Sequence, residues 1–593
     1  MLRALRLAPF VILAIAVSGC PAPFEPSTGG SSSSSSAGAG GTTSVGGASA
    51  GSSASTGGSG GTDTCDDADR DGDGASECDG DCDDDNAFVR PGALEICGNG
   101  ADEDCDGEDN VGAECDAYST YVSPKGNPGA TGTKEDPVAT IVEGVERAMA
   151  LGVPAAVLVA AGTYSEDVTI TGAVSLVGGY DPDDWSARDP SAHETIVKDT
   201  APTGLKLAAV DGDMLVDGLT INGRNVSSGT DTTAALTIDG GGPVISNCTI
   251  AGGQVTSGTG ASVAVRLIGD SAIGAHTRLG STTILSGSAV SGPARGVWID
   301  APTMDVTIAD SGVSAGKGTD SIALHVVDAA KVTVWKSTFQ SATAVGGGPG
   351  APSNSLGIWA QKGELLLDSS IVNADQIDDP PVCFTPSAWC GGVRISTGSA
   401  TLTNNVLLGG ASDHSAAVHL FEVSDDLSGV VVSSNTIYAA GRLAAQSTSA
   451  CVLLGSPRSD PVVTAVGRFR NNIFIGGYAE LNYAFWEQRT PGESCDPAAL
   501  DHDLFYFPVN MPNEGVLYTD WNGIAASDLT NVDDLPGDGA HLEDDPKLDG
   551  GHLRSDSPCR NTGTDADAPN HDTDQEPRPQ EMLFDIGPDE YVP

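Results

Sequence analysis

The chain runs to 593 residues, with 28 Lys and Arg against 81 Asp and Glu and a net charge of −53. Such an excess of negative charge opposes association with phosphate backbones and anionic headgroups, which excludes nucleic acid and leaves cations and neutral or cationic glycans as partners. Past the first twenty residues no sustained apolar run reaches bilayer-spanning length, so a bundle of membrane helices is excluded as well.

Arg3 and Arg6 precede an apolar run over residues 7–17, which closes on Val17-Ser18-Gly19-Cys20. The run is too short to span a bilayer and ends in small residues, as an export signal does. Its last four residues resemble a bacterial lipobox cut before Cys20, which implies a mature chain held to the membrane by lipid on Cys20. Pro21 in place of Asp implies passage to the outer membrane. The expected location is the cell surface, lipid-anchored, with the periplasmic face of that membrane as the alternative; an ordinary signal peptide or single anchor is the competing reading of residues 1–20. Residues 21–62 follow as a disordered Ser/Gly-rich tether, uncharged from position 26 onward, with a root-mean-square span of roughly 35 Å.

Residues 63–116 carry 21 Asp or Glu against Arg70 and Arg90, a local charge of −19 (21 acidic less 2 basic), together with six cysteines. Carboxylates this dense repel one another unless cations sit between them. Three D-x-D-x-D runs place alternate side chains as metal ligands: Asp69, Asp71 and Asp73; Asp79, Asp81 and Asp83; and Asp102, Asp104 and Asp106. Gly74 and Gly107 after the first and third permit the backbone to double back. An EF-hand is excluded, because the twelfth position from Asp69 is Gly80 where a bidentate Glu belongs. The segment 69–107, with PGALEICGNGADEDCDG at its end, resembles the MopE-type Cys/Asp-rich metal-binding repeat. That resemblance implies copper, whereas residues 62–116 hold no His, Met or Trp. In an exported protein Cys65, Cys78, Cys82, Cys97, Cys105 and Cys115 are expected as disulfides, so only hard oxygen donors remain and calcium is the expected cofactor rather than copper. Zinc on the CxxxC pair Cys78 and Cys82 is one alternative, and an acidic spacer without a tightly held ion is another.

From about Ser119 the composition turns to Val, Ile, Thr, Ser, Gly and Asn. Strand-length runs such as VTITGAVSLVGG, VRISTGSATLTNNVLLGG and FRNNIFIGG end in Gly or Asn. Aligning the polar residue ahead of the apolar pair gives Ser337, Ser370, Asn405, Asn435 and Asn472, spaced 33, 35, 30 and 37 residues apart. This irregular period predicts an all-β solenoid, a right-handed parallel β-helix over 117–560 with inward Val, Ile and Leu and stacked Asn at the bends, closed by 561–593 and acting as a monomer. The opening YVSPKGNPGATGTKEDPVATIVEGVERAM with AGTYSED, and the closing SPCRNTGTDADAPNHDTDQEPRPQEMLFDIGPDEY, resemble surface β-helix proteins of the pectin-lyase-like superfamily. The resemblance implies the fold, and the fold by itself leaves function open.

A polygalacturonase pattern is absent: Asp378-Asp379, Arg394-Ile395, Asp413-His414 and Asn435-Thr436 are partial matches in the wrong order. A calcium-dependent lyase needs clustered carboxylates and a cationic base, and Asp368, Asp375, Asp378, Asp379, Arg394, Asp413, His414, His419 and Arg442 fall in consecutive coils. Asp413, His419, Arg394 and Arg442 are its candidate catalytic residues. Asp572, Asp574 and Glu576 offer a second calcium site or a solvated acidic loop. Trp185 and Arg188 are expected to pin an early loop, and Cys383 with Cys390 to staple another, while Cys248, Cys451, Cys495 and Cys559 cannot be paired from the sequence. The expected whole is a surface lipoprotein with a calcium-stabilised neck and a β-helix body that binds glycan or protein partners without catalysis. The alternative is a calcium-dependent polysaccharide lyase or hydrolase.

Overall fold

The computed structural model describes residues 75–84, 89–93, 95, 102–107 and 113–592, apart from 153, 202–203, 211–213, 228–229, 271–275, 343, 345–353, 375–389, 397, 411–413, 422–426, 428, 442–446, 456–465, 488–495, 509–514, 520–524, 527–528 and 530–538. The export signal with Cys20, the tether, the first acidic run of Asp69, Asp71 and Asp73, and Cys65, Cys97, Cys383 and Cys495 lie outside them, as does the Cys115 side chain. The described residues belong to one compact unit, Asp67–Pro593.

The body is a parallel β-helix, as its sequence pattern predicts. Among the described residues one face is an unbroken sheet of 13 strands, from Gly162–Tyr164 to Leu542–Glu543, and each adjacent pair is parallel. Two further parallel faces complete each coil. The first sheet runs through Thr233–Gly241, Ser262–Ile268, the start of Ala294–Ala309 and of Ser321–Trp335, then Ser355–Ala360, Cys390–Ile395, His414–Leu420, Thr448–Leu454 and Leu481–Glu487. The second includes Val244–Ser246, His276–Gly280, Glu364–Asp368, Ser399–Thr403, Val430–Ser433, Arg468–Arg470 and Ala499–Asp501.

Parallel registry turns equivalent positions of successive coils into columns. In the 13-stranded sheet the inward column is Ile221, Ile250, Ile284, Val313, Phe339, Val372, Leu407, Ile437, Phe474 and Phe505, every member buried. Each such side chain contributes about 1.5–3 kcal/mol by leaving water. At the corner between the second and third faces, Ser281, Asp310, Lys336, Ser369, Asn404, Ser434, Asn471, His502 and Ala540 take φ values of 44° to 60°. This left-handed conformation lets the chain turn sharply, and among non-glycine residues Asn, Asp and His adopt it most readily.

The next residue in each coil points inward and joins a polar ladder. Ser337 N donates to Ser370 Oγ, Ser370 N to Asn405 Oδ1, Asn405 N to Asn435 Oδ1 and Asn435 N to Asn472 Oδ1, at 2.9–3.1 Å. The five aligned residues of the sequence are thus consecutive rungs. The ladder extends beyond them, upstream to Ser311 and Thr282 and downstream to Asp503 and His541. Burial holds the Asp503 carboxyl well above the usual carboxylate range, which suits a rung that must not carry charge in the core.

Helix Ile141–Ala150 caps the first coil. Thr140 Oγ1 accepts from Glu143 N, Glu166 accepts from the Ile141 and Val142 amides, and Ile141, Val145 and Ala148 face the core. These contacts satisfy first-turn amides that have no partner within a helix. As expected, Arg188 and Trp185 pin the early loop: Arg188 pairs with buried Asp217, and Trp185 packs edge-on against Tyr121 at 4.8 Å. Ahead of the body, Ala113–Tyr118 runs directly into Ser119–Val122. Asp116 accepts from the Tyr121 hydroxyl at 2.6 Å and pairs with Lys134 at 2.9 Å.

At the other end residues 561–590 double back over the turned corner. Asn471 exchanges hydrogen bonds with Thr564, Gln575 reaches Ser369, and His571 bonds Asp368 at 2.8 Å. Arg578 is fully enclosed against Glu590. Cys248, Cys451 and Cys559 are buried thiols.

Candidate functional site

The outer surface of the first sheet carries a column that strand alternation creates. Between inward Val265 and Leu267 stands Arg266; between Val297 and Ile299, Trp298; between Leu324 and Val326, His325. Trp359, Arg394 and His419 occupy the same position in the next three coils, so all six are register neighbours. The flanking aliphatics are core, and the intervening side chain therefore points out.

The column is stacked on itself. Arg266 and Arg295 lie 4.9 and 5.0 Å over the Trp298 ring. The His325 and Trp359 rings stack at 4.9 Å and 14°, and Arg394 lies 5.1 Å over Trp359 and 3.7 Å over Phe421. Arg295 Nε donates to His325 Nδ1 at 2.7 Å, which leaves the ring proton on Nε2. Burial first, then Arg295, pulls the His325 pKa down to about 3.

That depression has a measurable sign. Unfolded His titrates near 6.5, so between pH 6.5 and about 3 the unfolded chain binds a proton that folded His325 does not. Stability from this group is therefore full above pH 6.5 and is lost as pH falls, by about 1.4 kcal/mol per pH unit. The His325→Gln variant is expected to flatten the slope of unfolding free energy between pH 6.5 and 5 by that amount relative to the parent. Equal slopes would refute a neutral buried His325.

Of the four candidate catalytic residues, Arg394 and His419 are register neighbours in this column, whereas Asp413 and Arg442 lie outside the described residues. His419 is 3% exposed and Arg394 6%. The His419 Nε2 lies 3.1 Å from the Gly455 carbonyl oxygen, and burial followed by the Arg394 charge holds its pKa well below the ordinary value. His414 begins the same strand. Asp368 ends a strand of the second sheet, where Thr403, Asn404 and His571 bond its carboxylate, so it serves the closing segment. Asp375, Asp378 and Asp379 are outside the described residues. Arg266, Arg295, Trp298, His325 and Trp359 escaped the sequence reading. The recurring triplets VRL, VWI, LHV, IWA, VRI and VHL carried the signal, each with one bulky polar or aromatic residue between aliphatics.

In the metal-binding segment a disulfide joins Cys82 to Cys105, and Cys78 is also disulfide-bonded. Oxidation removes both sulfurs of the CxxxC zinc alternative, because a disulfide sulfur is no thiolate ligand. Of the three D-x-D-x-D runs, Asp69, Asp71 and Asp73 fall outside the described residues, so their expected role as metal ligands has no geometry to set beside it; the other two runs are described. One oxygen each of Glu95, Asp102 and Asp104 lie within 4.8 Å of one another. Asp102 also accepts from the Asp106 and Gly107 amides, and Asp81 Oδ1 from the Asp83 amide. Asp79 binds the Ser76 hydroxyl. Burial, then Glu103, raises the Glu95 pKa to about 7. Buried oxygens Asp81 Oδ2 and Glu95 Oε1 have no hydrogen-bond partner. Buried carboxylate oxygens without a donor are of the kind that a hard cation takes as ligands. Glu95, inside the motif, was missed because the D-x-D-x-D spacing alone drew attention.

In the closing segment His552 Nδ1 lies 3.3 Å from Asp574 and 3.1 Å from Asp589. Of the trio Asp572, Asp574 and Glu576, Asp572 is buried and accepts from the Asp574, Glu576 and Glu590 amides, a structural use of its oxygens. Burial and neighbouring carboxylates raise the Glu576 pKa.

Residues 81–110 match the family model for the Cu-binding MopE metal-binding motif. No curated protein matches the chain. Among solved structures the chain is similar to the mannuronan C-5 epimerase AlgE6 A-module of Azotobacter vinelandii, at 14% identity over 69% of this chain and 95% of that one with a TM-score of 0.43. It is similar to the pectate lyase Pel9A at 13% identity, 80% and 96% coverage and a TM-score of 0.37. It is also similar to the tailspike protein gp49 of Acinetobacter baumannii bacteriophage Fri1, a capsular polysaccharide depolymerase, at 10% identity, 75% and 72% coverage and a TM-score of 0.29. The parallel β-helix itself follows from the strand pairings of this chain.

Proposed function

We propose that the chain is a lipid-anchored outer-membrane surface protein whose β-helix holds an extended glycan along the outer face of the first sheet. The observation that carries this reading is the column from Arg266 to His419. Strands about 4.8 Å apart repeat the same position, so a linear ligand would pass over the half-buried Arg266, Trp298 and Trp359, with buried His325, Arg394 and His419 supporting the surface beneath it. Lipid on Cys20 and the uncharged tether would hold this face away from the membrane. In the motif, Glu95, Asp102, Asp104 and Asp81 would hold calcium, which neutralises their mutual repulsion and stiffens the neck.

Binding is preferred to lyase chemistry because His419 is enclosed with its Nε2 beside a carbonyl oxygen, where it meets no substrate proton. The test is a glycan array run with the full chain, followed by analysis of the bound glycans with and without EDTA. Retention of intact glycan is expected, and release of shortened or unsaturated products would install the lyase. Calcium is expected to raise the melting temperature while copper leaves it in place; tight copper binding without calcium binding would reverse the metal assignment.

A further inference from the structure

Neither Arg266 nor Arg295 forms an ion pair with a carboxylate among the described residues, although Asp and Glu outnumber Lys and Arg 81 to 28 in the chain. Asp320 is the carboxylate whose charge acts on Arg295, and its Oδ1 is taken up by the Asn354 amide and side chain. Burial lowers the Arg295 pKa against the opposing pull of Asp320, so this guanidinium sits partly desolvated with its nearest counter-charge out of direct contact. The ring faces beside these cations are already occupied. His325 and Arg394 cover Trp359 from the coils on either side, and two guanidinium groups cover Trp298. Neutral sugars stack on open aromatic faces, and this column presents none. Its half-buried cations are the guanidinium groups of Arg266 and Arg295, while the Trp298 Nε1 and Arg266 Nε atoms beneath the surface are buried without an acceptor. Two guanidinium groups without a carboxylate in direct contact are complementary to carboxylate oxygens.

We infer that the ligand of the first-sheet column is an acidic polysaccharide, with its carboxylates seated on Arg266 and Arg295. The inference rests on the glycan reading above and reverses the preference for neutral or cationic sugars that net charge alone implies. Nucleic acid offers anions too, but a chain of net charge −53 repels a polyphosphate along its whole length, whereas an acidic glycan carries a sparser charge.

The experiment measures affinity of the full chain for sodium alginate, for neutral dextran and for duplex DNA at two salt concentrations, with Arg266→Gln and Arg295→Gln beside the parent. Arg266→Gln leaves the Arg295–His325 hydrogen bond untouched, so it remains informative if Arg295→Gln fails to fold. Alginate is expected to bind, to weaken with added salt, and to lose about ten-fold in each variant, the effect of one charge-assisted contact. Dextran bound as tightly as alginate, or alginate binding indifferent to both substitutions, would overturn the acidic assignment and leave the glycan reading standing. Failure to bind any glycan would remove the glycan reading itself, and tighter binding of DNA than of alginate would overturn the choice of ligand class.

Discussion

Asn435→Ala is expected to lower unfolding stability by roughly 4 kcal/mol. Asn435 is fully buried. Its Oδ1 accepts from both Asn405 N and Asn405 Nδ2, and its Nδ2 reaches the Leu402 and Ser433 carbonyls and Asn472 Oδ1. Removing the amide strands at least two of these groups inside the core, and each costs about 1–3 kcal/mol in the absence of water. Because a solenoid is stabilised coil against neighbouring coil, the loss is expected to surface first as amide exchange in the flanking coils. Urea unfolding of the variant beside Thr338→Ala, an exposed position, makes the comparison; the control is expected to stay within about 0.5 kcal/mol. A loss under about 1 kcal/mol for Asn435→Ala would show that the ladder is incidental.

The second large effect is expected at Arg578→Met. The Arg578 side chain is 0% exposed and that of Glu590 1%. The guanidinium donates to Glu590 Oε1, Asn404 Oδ1 and the Asp585 and Gly587 carbonyls. Deleting one member of a buried pair leaves the other as an uncompensated charge, at a cost of about 3–5 kcal/mol. Asn404 sits at the turned corner, so the loss should loosen the closing segment from the coil it covers. Limited proteolysis is expected to cut within 561–593 in Arg578→Met before it does in the parent. Pairing the change with Glu590→Gln should recover part of the stability, since the stranded charge is then gone. Cleavage at the parent rate would mean that the segment is held without this pair.

Much of this architecture is written locally. The ladder rungs Ser337 to Asn472 were legible because each is a small polar residue directly ahead of an apolar pair, one step after a left-handed turn. The metal-binding motif at residues 81–110 was legible too, because its Cys and Asp pattern is local. The first-sheet column was not legible in this way. Arg266, Trp298, His325, Trp359, Arg394 and His419 each read singly as a bulky residue in an alternating strand, and the loops between them differ in length, so no fixed period links them.

The sequence by itself determined the solenoid, its cap, its inner ladder and the acidic, disulfide-bearing motif, because alternation, turn chemistry and the Cys/Asp motif act over a few neighbouring residues. Only the tertiary structure decided that three arginines, two tryptophans and two histidines of a strongly acidic chain share one surface. Parallel registry, which depends on how coils of unequal length stack, places residues from distant coils at strand spacing and there makes a cationic line that net charge conceals.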